Sequence, residues 1–129
     1  MEKFAHPLID SIMKDPYNKL CFDCGNSHPK WASINNSVFV CLNCAGVHRS
    51  LGVNISFIRS LTMDNWDEKQ LKFIKQGGNR RLREFMEEYN IPLQTDIELK
   101  YKLVALDYYR KLVNIYNIIL YFPPLLVKV

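Results

Sequence analysis

The sequence lacks the features of several protein classes. Its 129 residues contain no run of about 18 apolar residues, the length that a helix needs to cross a bilayer. The first 20 residues have no long uncharged apolar core and no small-residue cleavage site, so no signal peptide is predicted. No internal repeat, Gly/Ser linker or low-complexity tract occurs. These absences favour one domain in a reducing, cytosolic compartment, where cysteines remain thiols.

Composition and charge allow an ordinary globular domain. Hydrophobic residues make up 48% of the chain and charged residues 23%. A domain of this size buries about two thirds of the surface that its unfolded chain exposes. Lys and Arg number 17 against 13 Asp and Glu, which gives a net charge of +4. This balance favours an acidic partner or an anionic membrane, but it does not choose between them.

The four cysteines form the most informative pattern, C-x2-C-x16-C-x2-C, made by Cys21, Cys24, Cys41 and Cys44. Two C-x2-C pairs separated by about 15 to 20 residues are typical of tetrahedral Zn²⁺ sites. Four thiolates close the coordination sphere, so the metal is expected to be structural and not catalytic. The alternatives are disulfide pairing or plain burial of the cysteines, and a reducing compartment disfavours the first.

Hydrophobic periodicity predicts helices and strands in the first half of the chain. In order, they are a helix over residues 3–14, strands over 31–34 and 37–40, a helix over 41–51 and a strand over 54–60. The turn of the hairpin is placed at Asn35 and Asn36, because asparagine tolerates positive φ. Gly52 is expected to end the second helix.

The second half is predicted to be helical. One helix begins at an N-cap, Asp64 or Asn65, and ends at Gly77-Gly78. Asn79 is expected to cap the next helix, which ends near Asn90. A last long helix begins near Thr95-Asp96, with an apolar stripe of Tyr101, Val104, Ala105, Tyr108 and Leu112.

Residues 41–66, CLNCAGVHRSLGVNISFIRSLTMDNW, resemble the zinc-finger domain of Arf GTPase-activating proteins (ArfGAP). The resemblance covers roughly residues 5–112. It rests on the cysteine pattern and on five further motifs, namely Trp31-Ala32-Ser33, His48-Arg49-Ser50-Leu51-Gly52, Arg59-Ser60, Asp64-x-Trp66 and Gly77-Gly78-Asn79.

The resemblance implies an α+β fold, with a small zinc-binding core and a three-stranded antiparallel sheet surrounded by five or six helices. We therefore expect residues 1–129 to form a single domain, with residues 113–129 as an apolar C-terminal extension. Two residues depart from the family pattern: Asn54 stands where His is usual, and Ser37 where Gly is usual. Ser37 is compatible with the fold if the local backbone does not need a strongly positive φ.

The resemblance also implies a function, the stimulation of GTP hydrolysis by Arf-family small GTPases in their GTP form. It assigns the role of an arginine finger, supplied in trans, to Arg49. The domain would regulate the GTPase and would not be a hydrolase on its own. Its cofactor would be one structural Zn²⁺, while the GTPase would bring GTP, Mg²⁺ and a water-orienting Gln. The expected setting is vesicle traffic, with a cytoplasmic protein recruited peripherally to Golgi or vesicle membranes.

Five further residues are predicted to bind the partner or to support the finger: Trp31, His48, Arg59, Asp64 and Trp66. The two tryptophans are interpreted as core or interface anchors, with Trp31 nearer to Arg49. His48 either supports the segment that carries Arg49 or is simply packed against neighbouring side chains. Arg59 either forms a salt bridge within the sheet or faces the GTPase, and Asp64 is an N-cap or the partner of a basic residue.

A basic surface is the remaining candidate site. Its residues are Lys69, Lys72, Lys75, Arg80, Arg81 and Arg83. The two interpretations are contact with an anionic membrane and simple exposure to solvent.

Two other functions compete with GTPase activation. GATA-type DNA-binding modules have a similar arrangement with one more residue between the pairs. However, the segment after Cys44 has only His48 and Arg49 in its first turns, whereas nucleic acid usually requires several basic or amide side chains on one face. No nucleic-acid partner is therefore expected. A non-catalytic adaptor that binds a GTPase is the second alternative, although such an adaptor does not require an arginine at position 49.

Overall fold

A three-stranded antiparallel sheet lies between helices in the computed structural model, which describes residues 3–115. The elements in chain order are α1 (Pro7–Ile12), a 3₁₀ turn (Pro16–Lys19), β1 (Trp31–Ser33), β2 (Val38–Val40), α2 (Leu42–Ser50), β3 (Ile58–Ser60), α3 (Glu68–Gln76), α4 (Asn79–Glu88), α5 (Ile97–Lys100) and α6 (Val104–Ile115). Three strands and six helices among these residues confirm the predicted α+β class. Within residues 3–115, no helix has the length and apolar character that crossing a bilayer requires.

The predicted C-terminal extension is only partly covered by the structure. Residues 113–115 complete α6, and residues 116–129 lie outside the described part of the chain. The division into one domain and an extension therefore stays a prediction.

Strand β1 is the centre of the sheet, in the order β2-β1-β3. Trp31 lies opposite Val40 on one side and Ser60 on the other, while Ala32 lies opposite Phe39 and Arg59. Because side chains alternate along a strand, Trp31 and Ala32 point to opposite faces of the sheet.

The two faces are buried by different sets of residues. On one face, which we call the α2 side, the core consists of Val38, Val40, Ile58, Cys21, Cys44, Ala45, Leu82, Phe85, Met86, Ile91, Tyr101, Ala105, Leu106, Tyr109 and Val113. On the other face, which we call the α3 side, it consists of Ile9, Met13, Ala32, Phe39, Leu61, Leu71 and Ile74. The sheet is thus covered by α1 and α3 on one side and by α2, α4 and α6 on the other.

Several element boundaries differ from the predicted ones. The strand predicted over residues 54–60 is reduced to β3, because the amides of Ile55 and Ser56 both donate to the Gly52 carbonyl, at 3.1 and 2.9 Å, and form a turn. The N-cap of α3 is Asp67, not Asp64 or Asn65. Asp67 and Gln70 form a capping box in which each side chain accepts from the other residue's backbone N–H.

Asn79 is not an N-cap either, although it begins α4. Its own amide donates to Asn18 Oδ1 at 2.9 Å, so the side chain of Asn18 satisfies this end of the helix. The Asn79 side chain is buried and bonds elsewhere: it accepts from the Phe39 amide at 2.8 Å and donates to the carbonyls of Tyr17 and Leu20 at 3.0 and 2.9 Å. Asn79 therefore joins the sheet, the 3₁₀ turn and α4.

The predicted long C-terminal helix is broken into α5 and α6. The break follows Tyr101, whose carbonyl accepts a hydrogen bond from the Arg110 guanidinium at 2.9 Å. The buried face of α6 also differs from the predicted stripe. Val104 is 62% exposed, whereas the side chains that pack inside are Ala105, Leu106, Tyr109 and Val113.

The hairpin between β1 and β2 corrects our expectation for Ser37. This residue has a φ of 51°, whereas Asn35 and Asn36 do not have positive φ. Ser37 therefore occupies a left-handed conformation that favours glycine. Its hydroxyl donates to the Phe73 carbonyl at 2.8 Å and accepts from the Gly78 amide at 3.1 Å, so the serine is fastened to the end of α3.

Candidate metal centre and arginine site

The four cysteine sulfur atoms are gathered in one cluster. All of them lie within 4.8 Å of one another, and Cys24 Sγ is 3.6 Å from Cys41 Sγ. A tetrahedral Zn²⁺ with Zn–S bonds of about 2.3 Å separates its sulfur ligands by about 3.8 Å. None of the four forms a disulfide. The cluster suits a single structural zinc ion, which confirms the metal prediction.

The acidities of the thiols show why a cation is needed to gather four thiolates. Burial raises the pKa of Cys21 to about 11. Burial and the charge of Cys21 raise the pKa of Cys44 above its usual range. For Cys41 burial acts in the same direction, but hydrogen bonds from the Cys44 amide and from neighbouring thiols lower its pKa to about 7. Zn²⁺ would supply the positive charge that stabilises the deprotonated sulfurs.

Helix α2 connects the metal cluster to Arg49. Cys41 is the N-cap of this helix, Cys44 lies in its first turn, and Arg49 lies in its last turn. The side chain of Arg49 is exposed, and its Cζ lies 4.8 Å from the centre of the Trp31 ring. A guanidinium over an indole face is a favourable cation–π contact. The structure thus brings Trp31 and Arg49 together, as the sequence analysis expected.

His48 points into the protein, although its neighbour Arg49 points out. The His48 side chain is fully buried, and both ring nitrogens have partners. Nε2 lies 2.8 Å from Asp23 Oδ2, and Nδ1 lies 2.7 Å from Ser56 Oγ. With Asp23 as the acceptor, Nε2 is the nitrogen that donates.

Asp23 is a residue of this site that the sequence analysis missed, together with Lys100 and Tyr101. Its carboxylate is 2% exposed, and Oδ1 accepts from Lys100 Nζ at 2.7 Å and from the Tyr101 hydroxyl at 2.8 Å. Burial alone would raise the pKa of Asp23, but the hydrogen bond from His48 and the charge of Lys100 outweigh burial and lower it. An acidic residue inside the first cysteine pair was the available signal, but its basic partner could not be identified from periodicity.

The polar contacts continue behind α2 beyond His48. Ser56 Oγ lies 2.6 Å from Ser33 Oγ, which also accepts from Asn36 Nδ2 at 2.8 Å. The Asn36 side-chain oxygen in turn accepts from Arg110 at 3.0 Å. Hydrogen bonds therefore run without interruption from Lys100 on α5, through α2 and the sheet, to Arg110 on α6.

Asp64 and Trp66 lie beside β3 and bond to the same residue, Ser60. Asp64 Oδ2 accepts from the Ser60 amide at 2.7 Å, and Trp66 Nε1 donates to the Ser60 carbonyl at 2.9 Å. Arg59 lies 3.8 Å from Asp64 and belongs to the face of the sheet opposite Trp31. The structure therefore groups these three residues around Ser60 at the edge strand β3, and their part in partner binding stays a prediction.

A shallow groove lies next to Trp31. It has a volume of about 300 Å³ and is lined by His28, Lys30, Trp31, Cys41, Leu42, Ser60, Thr62 and Met63. Leu42 and Met63 are 63% and 71% exposed. An apolar surface is thus available to a protein partner next to Trp31, the ring that the Arg49 guanidinium covers.

The fold and the four-cysteine cluster define a class of small zinc-binding α+β domain, and comparison with known proteins gives the family. Residues 6–114 match the profile of the ArfGap family, described as "Putative GTPase activating protein for Arf". The chain belongs to this family.

Individual relatives agree with this assignment. The chain is 47% identical to ADP-ribosylation factor GTPase-activating protein GCS1 of Saccharomyces cerevisiae, over 78% of this chain and 29% of that protein. It is 45% identical to ADP-ribosylation factor GTPase-activating protein 3 of Mus musculus, over 74% of this chain and 18% of that protein. The chain therefore spans less than a third of the length of these two relatives.

A solved structure agrees as well. The crystal structure of a putative GTPase activating protein for ADP ribosylation factor from Cryptosporidium parvum matches this chain with a TM-score of 0.75. The sequence identity is 32%, and the match covers 86% of this chain and 93% of that one. The ArfGap domain of human RIP, at 24% identity and a TM-score of 0.56, shows the same fold.

Proposed function

We propose that this domain stimulates GTP hydrolysis by an Arf-family small GTPase and that Arg49 acts as an arginine finger in trans. The observation that carries the proposal is the position of Arg49. It is an exposed arginine on a helix that begins at two zinc ligands and is held from behind by a buried polar network. The names of the relatives point to the same partner, the ADP-ribosylation factor.

The chemistry of phosphoryl transfer explains why an arginine suits this position. Negative charge on the phosphoryl oxygens must be stabilised in the transition state, and a planar, permanently charged guanidinium can bond two oxygens at once. An arginine finger raises the rate by about 10³ to 10⁵, which corresponds to ~4 to 7 kcal/mol of barrier. The GTPase supplies GTP, Mg²⁺ and the glutamine that orients water, so the domain itself is not a hydrolase.

The groove beside Trp31 supports docking of a GTPase at this face. Leu42 and Met63 expose apolar surface in this groove, and Trp31, which also lines it, lies under the Arg49 guanidinium. Binding a protein there would bury this apolar surface. Docking would bring the guanidinium to the nucleotide of a GTPase in its GTP form, and would remove it from bulk water, where its charge is screened.

A membrane contact is the second part of the proposal. Lys69, Lys72 and Lys75 are exposed on α3, whereas Arg80 and Arg83 on α4 form ion pairs with Glu84 and Glu87 at 3.5 and 3.6 Å. The lysines are thus better placed than the α4 arginines to meet anionic lipid. Each basic residue near such a surface contributes about 1 kcal/mol. The cytoplasmic face of Golgi or vesicle membranes would be the setting.

Charge reversal of the three lysines tests the membrane contact separately. The triple variant with Lys69→Glu, Lys72→Glu and Lys75→Glu should lower GTPase stimulation on anionic liposomes by about tenfold or more and leave stimulation in solution unchanged. Reversal of Arg80 and Arg83 is the matched control, with a smaller expected effect. Equal losses on liposomes and in solution would contradict the membrane role.

Single-turnover hydrolysis tests the main proposal. GTP-loaded Arf proteins on anionic liposomes should lose their γ-phosphate about 10³-fold faster or more when the zinc-loaded domain is added. The control is the same assay with GTP-loaded Arf and no domain. Absence of acceleration with several Arf proteins would contradict the proposal.

The adaptor alternative predicts a different binding pattern. An adaptor would bind GTP-loaded Arf without changing its rate. An activator should also bind the GDP form more tightly when aluminium fluoride occupies the γ-phosphate position, because catalysis requires stronger contacts in the transition state. Equilibrium binding with and without aluminium fluoride separates the two functions.

A further inference from the structure

Lys100 is the last residue of α5, and Tyr101 is its C-cap. Neither residue has a role in the reaction described above. Both are fully buried, and both donate to the same carboxylate oxygen of Asp23, at 2.7 and 2.8 Å. A buried ion pair seldom stabilises a protein more than apolar residues of the same volume would. Stability alone therefore gives no reason for a lysine and an aspartate here.

The contacts of Asp23 lead directly to the residue that precedes Arg49. Asp23 Oδ2 accepts from His48 Nε2 at 2.8 Å, while the Tyr101 ring lies 4.5 Å from the His48 ring, centre to centre. With Ser56 Oγ at 2.7 Å from Nδ1, the imidazole is held at both nitrogens and on one face. The His48 ring has no freedom to rotate without breaking these contacts.

Arg49 needs such support because it lies at the end of its helix. The carbonyls of His48 and Arg49 accept from the amides of Leu51 and Gly52, at 3.0 and 3.3 Å, which closes the last turn of α2 but does not tie it to the sheet. A last turn also frays more easily than the middle of a helix. The zinc ligands Cys41 and Cys44 fix only the first turn of α2. The side chain of Arg49 rests on Trp31 alone among the described aromatic rings, so its direction depends on the backbone that carries it.

We propose that Lys100 and Tyr101 are positioning residues for Arg49. They hold the Asp23 carboxylate, which holds the His48 ring. The ring fixes the last turn of α2, so the guanidinium keeps one orientation over Trp31. The metal and the Lys100–Asp23 pair then fix opposite ends of the same helix. The consequence for catalysis rests on the function proposed above, whereas the consequence for geometry does not.

The two tryptophans of the chain provide a direct readout of this geometry. Trp31 lies under the guanidinium, while Trp66 donates its indole N–H to the Ser60 carbonyl at 2.9 Å and serves as an internal reference. In the ¹H–¹⁵N spectrum of the zinc-loaded protein, Lys100→Met should move the Trp31 indole signal toward its position in Arg49→Ala. The Trp66 signal should stay. Lys102→Met, at an exposed lysine two residues away, is the matched control and should move neither.

A double variant separates positioning from general disturbance of the fold. In the Arg49→Ala background, Lys100→Met should no longer move the Trp31 signal, because the guanidinium that transmits the change is gone. A Trp31 signal that does not move in zinc-loaded, folded Lys100→Met would overturn the proposal, and so would an equal movement with and without Arg49. If Lys100→Met does not fold, Tyr101→Phe removes one hydroxyl only and is expected to give a smaller movement in the same direction; no movement would overturn the proposal.

Kinetics extends the test to catalysis. The maximal rate of stimulated hydrolysis should fall by about 10- to 100-fold in Lys100→Met, with the half-saturating concentration unchanged. The same substitution should have no further effect in the Arg49→Lys background. If the wild-type domain does not stimulate any Arf protein, the proposed function is wrong. The Trp31 and Trp66 indole signals would still show whether Lys100 and Tyr101 position Arg49.

Discussion

The two faces of the sheet are held together by different kinds of interaction. On the α3 side the core is apolar, and α1 and α3 cover it with Ile9, Met13, Leu71 and Ile74. The α2 side has an apolar core too, but it also contains four clustered cysteines and the buried Lys100–Asp23–His48 chain. The exposed arginine of the proposed reaction is on the second side.

This difference separates two physical requirements. Apolar packing is non-directional and contributes stability in proportion to the area that is buried. Metal bonds and hydrogen bonds are directional, so they fix where a backbone segment lies as well as whether it stays folded. The α3 side supports the sheet, whereas the α2 side fixes the orientation of one helix and its last turn.

Removal of zinc should have the largest effect. Structural Zn²⁺ contributes ~10 to 16 kcal/mol in metal-dependent domains, which equals or exceeds the whole stability of most domains, about 5 to 15 kcal/mol. A strong zinc chelator should therefore unfold the protein, seen as loss of the circular dichroism signal, and added zinc should restore it. A calcium-selective chelator is the control. A chain that stays folded without zinc would show that the apolar cores on the two faces of the sheet hold the fold without the metal.

A cavity on the α3 side should weaken the fold and leave the arginine site intact. Ile74 is 1% exposed, so Ile74→Ala should lower the free energy of unfolding by ~2 to 5 kcal/mol. Urea denaturation measures this loss, with Lys75→Ala at an exposed neighbour as the control. The variant should still bind one zinc and keep the Trp31 indole signal in place. Movement of that signal would mean that the two sides are coupled.

The junction between the two sides should give the smallest effect. A Cβ added to Gly77 would overlap the side chain of Ser37, so Gly77→Ala should cost ~1 to 3 kcal/mol. Ser37→Gly removes the obstructing side chain and the left-handed serine together. In a double-mutant cycle followed by urea denaturation, Ser37→Gly should therefore suppress the cost of Gly77→Ala. Additive losses would contradict the contact.

The sequence was most informative where structure is decided locally. The cysteine spacing predicted the metal cluster because each pair lies within one short turn, and the order of helices and strands followed from periodicity. The capping box of Asp67 and Gln70 is local as well, and the prediction of Asp64 or Asn65 as the N-cap overlooked it.

Other features depend on residues that are distant in the chain. Asp23 and Lys100 are 77 positions apart, and Phe39 and Asn79 are 40 apart. The left-handed φ of Ser37 and the break after Tyr101 likewise depend on contacts with α3 and α6. Periodicity identifies which residues face inward, but it does not pair one buried polar group with another.

The most direct test of the account compares two arginines in one assay. Arg49 lies over Trp31 on the α2 side, and Arg59 lies 3.8 Å from Asp64 on the opposite face of the sheet. We would measure single-turnover GTP hydrolysis by an Arf protein on liposomes with zinc-loaded Arg49→Lys and Arg59→Lys. Arg49→Lys should lose about 10³-fold or more of the stimulation with unchanged stability, whereas Arg59→Lys should lose less than about tenfold. Full stimulation by folded Arg49→Lys, or an equal loss in both variants, would contradict the arginine-finger role of Arg49.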